Sequence, residues 1–244
     1  MSRNRGKHRK HEYESEKPSQ NPNSEPDVKF HLEPKTANQK NYLHTIRKNV
    51  ITICTGPAGT GKTALAVGYG IQNIKCSTPL YKKLIIVRPI IGACGEDIGF
   101  LKGDLEEKLA PWMGPIIDNL KVFLSEGTID YLIKNKQIEG LALSHMRGRS
   151  LNDCYILLDE AQNCSPEQLL MMLTRIGKNS KLVINGDLKQ SDLKDHEKSG
   201  LMDAITRLED MEGIGICKLD HNDILRNPLI GEILYRYEKL DLPN

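Results

Sequence analysis

Past residue 30 the chain alternates between short apolar runs and longer stretches with helical spacing. Val50–Thr55 (VITICT), Leu84–Val87 (LIIV), Tyr155–Leu158 (YILL) and Leu182–Ile184 (LVI) are brief, apolar and rich in β-branched residues. Such runs suit strands buried on both faces of a sheet. Ile214–Leu219 is a weaker run of the same kind. Between them, residues 37–48, 63–73, 111–125, 166–176 and 201–208 read as helices, and a last helix is expected to open near Pro228, where proline suits a first turn. Strands alternating with helices predict an α/β fold, a mostly parallel sheet covered by helices on both faces. There is no internal repeat.

Residues 1–30 break this pattern. They are poor in large apolar groups and rich in Arg, Lys, His, Glu, Ser, Asn and Pro, a composition that cannot offset its ordering entropy and predicts a disordered charged tail. The folded domain is therefore expected over 31–244. The tail is polarised: Arg3, Arg5, Lys7, Arg9 and Lys10 precede Glu12, Glu14 and Glu16. This arm is suited equally to attracting phosphate backbones and to solubilising the chain.

Composition adds exclusions rather than identity. The formal net charge of the 244 residues is only +2. The six cysteines contain no C-x-x-C pair, which argues against zinc and for buried free thiols in a reducing compartment. The seven histidines have no metal spacing. No apolar run approaches the roughly 18 residues of a membrane span, and no apolar segment follows the basic start, so a cytoplasmic location is expected.

The chemistry lies at the ends of the apolar runs. Gly56-Pro57-Ala58-Gly59-Thr60-Gly61-Lys62-Thr63 fits G-x-x-x-x-G-K-[ST], with a strand before it and a helix after it. Its glycines let the backbone curl so that N–H groups face phosphate oxygens, and the following helix adds its N-terminal partial positive charge. Lys62 is placed to bridge the β- and γ-phosphates of ATP and Thr63 to ligate Mg²⁺. Asp159 and Glu160 close the YILL run, where a parallel sheet delivers side chains to its ligand crevice. Asp159 is assigned to Mg²⁺ and Glu160 to polarising the attacking water. A DE pair alone would equally begin a solvated loop; the strand before it and the phosphate cradle upstream favour the hydrolytic reading.

Other candidates are less specific. Asp187 and Gln190, after the LVI run, suit either a γ-phosphate sensor or an ordinary turn. Arg88, Arg147, Arg149 and Arg226 suit ATP, a nucleic-acid backbone or a surface carboxylate. Gln39, upstream of the cradle, carries an amide able to read an adenine edge.

Taken together, GPAGTGKT, IIVRP, GEDIGFLKGDLEEKLAPW, MRGRSL, YILLDEAQN, INGDLKQSDL and DILRNPL occur in the order seen in the PhoH-like P-loop ATPases. The chain resembles that family across nearly all of residues 33–240. The resemblance implies a P-loop NTPase with a RecA-like core, related to the N-terminal core of superfamily-one helicases. It implies that Gln39 reads adenine, that Asp187 and Gln190 couple hydrolysis to nucleic-acid contact, and that Arg226 lies near the γ-phosphate. Arg147 and Arg149 match a signature whose role the residues do not give. The family's histidine after the late arginine is Asn227 here, so no histidine role carries over. The chain resembles the shorter form of the family, without an appended RNA-binding or nuclease domain.

Only one set of P-loop motifs is present, and about 210 residues leave no room for a second full RecA-like domain. A site of this kind then needs an arginine from a neighbour, which predicts a homo-oligomer, a hexameric ring with Arg147, Arg149 or Arg226 acting across the interface. The expected function is an ATPase that remodels or translocates on single-stranded nucleic acid, RNA before DNA. The alternatives are an ATP-driven switch acting on a partner protein and a nucleotide-sensing scaffold with little turnover.

Overall fold

The computed structural model describes residues 30–89, 105–190, 199–224 and 236, with the side chains of 105–112 left aside. The elements run α1 (Ala37–Lys48), β1 (Ile51–Thr55), α2 (Lys62–Ile74), β2 (Lys83–Arg88), α3 (Leu105–Lys121), α4 (Glu126–Lys134), β3 (Ile138–Ala142), β4 (Cys154–Leu158), α5 (Pro166–Leu173), β5 (Lys181–Gly186), α6 (Gly200–Leu208) and β6 (Ile214–Lys218). The six strands form one sheet in the order β3-β2-β4-β5-β1-β6, and every neighbouring pair is parallel.

The central strands are largely apolar because both faces are covered. Along β2, Leu84 and Ile86 pack with α1–α4, while Ile85 and Val87 pack with α5 and α6. Along β4, Tyr155 and Leu157 take the first face and Ile156 and Leu158 the second. This is the period-two alternation of a pleated strand. Each fully buried aliphatic side chain contributes roughly 1.5–3 kcal/mol relative to exposure, so the two cores anchor the central strands from both sides.

The helices begin where local chemistry directs. Thr36 caps α1, its hydroxyl accepting from the Gln39 N–H at 3.1 Å. Ser165 and Gln168 form a capping box on α5, with Pro166 in the first turn. Two differences from the sequence reading stand out. The helix expected from Pro111 starts at Leu105 and stops at Lys121, and Ser125 instead caps the separate α4, accepting from Thr128 N–H. Strand β3 (IEGLA) carries a glutamate and a glycine and gave no strand signal; it pairs only with β2 among the described residues, at the sheet's edge. The helix expected near Pro228 and the tail over 1–29 lie outside the described residues.

Candidate active site

Parallel strands all point their carboxyl ends to one edge of the sheet, and the motifs gather there. The loop leaving β1 turns on Gly56 (φ 153°), Gly59 (φ 83°) and Gly61 (φ 85°) before α2 starts at Lys62. A side chain at Gly56 would run into the Leu219 carbonyl at the end of β6, so only glycine passes there. Thr60 braces the loop, its hydroxyl donating to the Pro57 carbonyl at 2.9 Å. The Lys62 ammonium donates to the carbonyls of Gly56 (2.6 Å) and Pro57 (2.8 Å). Burial lowers its pKa, opposed by Cys54 and then by the carboxylates of Asp187, Asp159 and Glu160. A phosphate would meet a partly desolvated cation already held at the cradle.

Thr63 and Asp159 come together from α2 and the end of β4. The Thr63 hydroxyl donates to Asp159 Oδ1 at 2.9 Å, and Asp159 is buried. The Asp159 N–H continues the ladder to the Val87 carbonyl at 2.9 Å, which fixes the acid beside the end of β2. Arg88, the last residue of β2, donates from Nη2 to Asp159 Oδ2 at 2.6 Å and lies 3.8 Å from Glu160 Oε1. Glu160 adopts the left-handed conformation (φ 58°, ψ 38°), which is costly for a residue with a side chain and is typical of functional positions. Its carboxylate is half exposed to the crevice.

A crevice of about 380 Å³ joins these groups. It is lined by Ala58, Gly59, Gly61, Lys62 and Thr63 of the cradle, by Arg88, Asp159 and Glu160, and by Asp187 and Gln190 from the end of β5. Asp187 is buried; its carboxylate accepts from the Lys189 N–H at 3.0 Å, and its carbonyl accepts from the Gln190 N–H. Pro115 and Asn119 of α3 complete the wall, a contribution that no motif signalled. Gln162 was also unassigned. It is buried, donates to Glu160 Oε2 at 2.7 Å, and accepts from the Asp187 N–H at 3.0 Å.

The remaining candidates sit elsewhere. Gln39 is buried behind the loop, its Nε2 donating to the Thr60 carbonyl at 3.0 Å and its Oε1 accepting from the Lys35 N–H at 2.8 Å. Arg149 lies 3.8 Å from Glu139 of β3, Arg147 is exposed, and neither lines the crevice. Arg226 lies outside the described residues, although the turn before it is anchored: Asp223 accepts from Thr36 Oγ1 and from Asn38 Nδ2 at the start of α1. Among the described residues no His, Cys, Asp and Glu cluster forms a metal cage. The oxygens of Thr63 and Asp159 are a donor set suited to Mg²⁺, which keeps most of its waters and needs few protein ligands.

A phosphate loop on a parallel α/β sheet, with a threonine–aspartate pair and a half-exposed glutamate at its mouth, defines a P-loop nucleotide-binding domain. The chain belongs to the PhoH family: its "PhoH-like protein" model matches residues 31–238. The PhoH-like protein of Synechocystis is 43% identical over 208 residues, covering 84% of this chain and 62% of that one. The PhoH-like protein of Bacillus subtilis is 42% identical over 205 residues, covering 84% and 63%. Protein PhoH of Escherichia coli is 35% identical over 204 residues, covering 82% and 56%. The chain thus spans about 60% of the length of these relatives. The large terminase of a thermophilic bacteriophage aligns in structure over 84% of this chain and 50% of that one, at TM-score 0.45 and 11% identity; a likeness at that level carries no inference about activity.

Proposed function

We propose that this domain is a Mg²⁺-dependent ATPase that works on single-stranded nucleic acid, RNA before DNA. The observation that carries the hydrolytic reading is the meeting of four groups at one crevice: Lys62 at the cradle, the Thr63–Asp159 pair at 2.9 Å, and Glu160 beside it with its carboxylate open to solvent. The loop N–H groups and Lys62 hold the β- and γ-phosphates. Bound magnesium would neutralise charge on the phosphate oxygens, and Thr63 and the Asp159 carboxylate would hold it. Glu160 orients a water against the γ-phosphorus and takes its proton as the bond to the β-bridging oxygen breaks, leaving ADP and phosphate. The exposed half of the Glu160 carboxylate leaves room for that water.

The nucleic-acid reading is supported by the basic arm Arg3–Lys10 and by the resemblance to helicase cores. The single set of P-loop motifs supports a hexameric ring in which Arg147, exposed and away from the crevice, Arg149 or Arg226 serves a neighbour. The described cysteines Cys54, Cys76, Cys154, Cys164 and Cys217 are free thiols, in keeping with a cytoplasmic setting. Among the described residues no helix is long and apolar enough to cross a membrane.

The test is steady-state ATP hydrolysis of wild type and Glu160→Gln, with and without single-stranded RNA or DNA, across protein concentrations. Hydrolysis that requires Glu160, is stimulated by RNA more than DNA and gains specific activity with concentration is the expected result. ATP binding with no turnover above Glu160→Gln in any condition overturns the enzyme reading. Turnover unaffected by either nucleic acid leaves the ATPase and favours a partner-protein switch.

A further inference from the structure

Building on the ATPase reading, we infer that Arg88 is a terminal-phosphate sensor supplied by the same chain as the phosphate loop, the group by which the site tells ATP from ADP. The sheet puts it there. Arg88 ends β2, and β2 lies beside β4 with Val87 opposite Leu158. The residue after Val87 and the residues after Leu158 therefore emerge side by side at the crevice. The Arg88 side chain is 14% exposed, so its charge is held at the site rather than in bulk water.

Its hydrogen bonding is incomplete in an informative way. The contact with Asp159 is made through Nη2 alone at 2.6 Å, and Glu160 Oε1 is 3.8 Å away, beyond hydrogen-bond reach. The Nε–H is buried and has no partner among the described residues. An arginine whose purpose was to hold Asp159 would engage the carboxylate with both arms of its planar fork. This one touches Asp159 with one arm and leaves a donor unspent at the wall of the phosphate crevice.

Asp159 has two claims on it. Its Oδ1 accepts from Thr63, the pair that would hold magnesium, and its Oδ2 is taken by Arg88. With nucleotide bound, Thr63 and Asp159 would hold magnesium, and the Arg88 guanidinium would exchange the Asp159 oxygen for the oxygens of the terminal phosphate. ADP lacks that phosphate, so the exchange is available only to the triphosphate. A trans arginine in a ring would be a second one, acting on the rate, whereas Arg88 acts on the choice of nucleotide within each subunit.

The experiment measures Mg²⁺-dependent affinity for ADP and for the slowly hydrolysed analogue ATPγS in the full chain, for wild type, Arg88→Ala, Arg88→Lys and Glu160→Gln, with a thermal melt of each. Loss of a charge-assisted contact to phosphate is expected to weaken ATPγS binding by about 10- to 100-fold in Arg88→Ala. ADP affinity should stay within about threefold, because the loop contacts are untouched. Arg88→Lys, which keeps the charge and a single contact to Asp159, should melt like wild type and still bind ATPγS more weakly than wild type. Equal weakening of ADP and ATPγS, or no change in either, overturns the inference: the first makes Arg88 a structural partner of Asp159, the second a bystander. Turnover in the same samples separates the two levels. If wild type and Glu160→Gln are equally inactive, the ATPase reading fails, while the nucleotide preference stands or falls on the binding data.

Discussion

Gln162 holds Glu160 by its amide: Nε2 donates to Glu160 Oε2 at 2.7 Å, while Oε1 accepts from the Asp187 N–H at 3.0 Å. The amide is thereby fixed in one orientation, since flipping it would set donor against donor at Asp187 and acceptor against acceptor at Glu160. Gly186 makes room for it; a side chain there would press on Gln162 Oε1 at 3.0 Å and on Leu201. Glu160 at the end of β4 is thus tied to the backbone at the end of β5.

Removing that tie should cost rate more than binding. Gln162→Ala is expected to lower kcat by about 10- to 100-fold, part of the range for a misplaced general base, with KM for ATP little changed. Gln162→Glu should be worse, because two carboxylates at that spacing cannot both ionise. Steady-state kinetics of the two variants checks this; a wild-type kcat in both would remove Gln162 from the mechanism.

Replacing the acid itself is the sharper test. Glu160→Gln is nearly isosteric and keeps an oxygen for the Gln162 amide. It should retain nucleotide affinity and lose about 10²-fold or more in turnover. Single-turnover assays with saturating protein separate this from slower product release.

Gly56 links the phosphate loop to the far edge of the sheet. Its φ of 153° and the Leu219 carbonyl in its path leave no place for a methyl group, and Leu219 cannot yield because its own N–H is bonded to the Thr55 carbonyl at 2.8 Å. Gly56→Ala should therefore destabilise by about 1–3 kcal/mol. For a domain of this size each kcal/mol lowers Tm by roughly 2–4 °C. Gly127 in α4 is the control: a methyl there meets nothing within 4 Å and no proline follows it, so Gly127→Ala should raise stability by up to about 1 kcal/mol. Differential scanning calorimetry reads both.

Lys181 opens β5 and is buried, its ammonium donating to the carbonyls of Ile46 (2.5 Å) and Asn49 at the end of α1. Burial pulls its pKa from 10.5 down to about 8. Between those values the unfolded chain binds more protons than the folded one, so this group's contribution to stability rises with pH from about 8 to 10.5. The stability of wild type relative to Lys181→Met should therefore increase across that window. Tyr42 and Tyr155, whose pKa values burial raises above the ordinary 10.0, pull the other way at the alkaline end but are common to both proteins. Urea midpoints at intervals from about pH 7 to about pH 10.5 measure the difference; a gap that is flat or closes with pH contradicts it.

The sequence alone determined the parts whose signal is local. Of the six strands, β1, β2, β4 and β5 were legible because burial makes them largely apolar, and β6, a half-buried edge strand, more weakly; α1 matched residue for residue because Thr36 supplies a cap and Asn49 an end. The phosphate-loop pattern and the strand-ending Asp159–Glu160 pair were legible because each is a short contiguous run beside an apolar strand. Strand β3 was not, because an edge strand needs less apolar surface and Gly140 in it, which lies against the Met113 side chain, weakens the strand pattern. What only the tertiary structure decided is which polar groups share the crevice. Arg88 is separated from Asp159 by 71 residues and Gln162 from Asp187 by 25. Each pair meets because parallel strand order, β2 beside β4 and β4 beside β5, brings distant carboxyl ends to one edge. Conversely, Gln39 has a suitable amide but turns it into the phosphate loop, and Arg149 turns its charge to Glu139. Residue type and spacing propose such roles; the direction in which a side chain points is set by long-range packing, which no local pattern encodes.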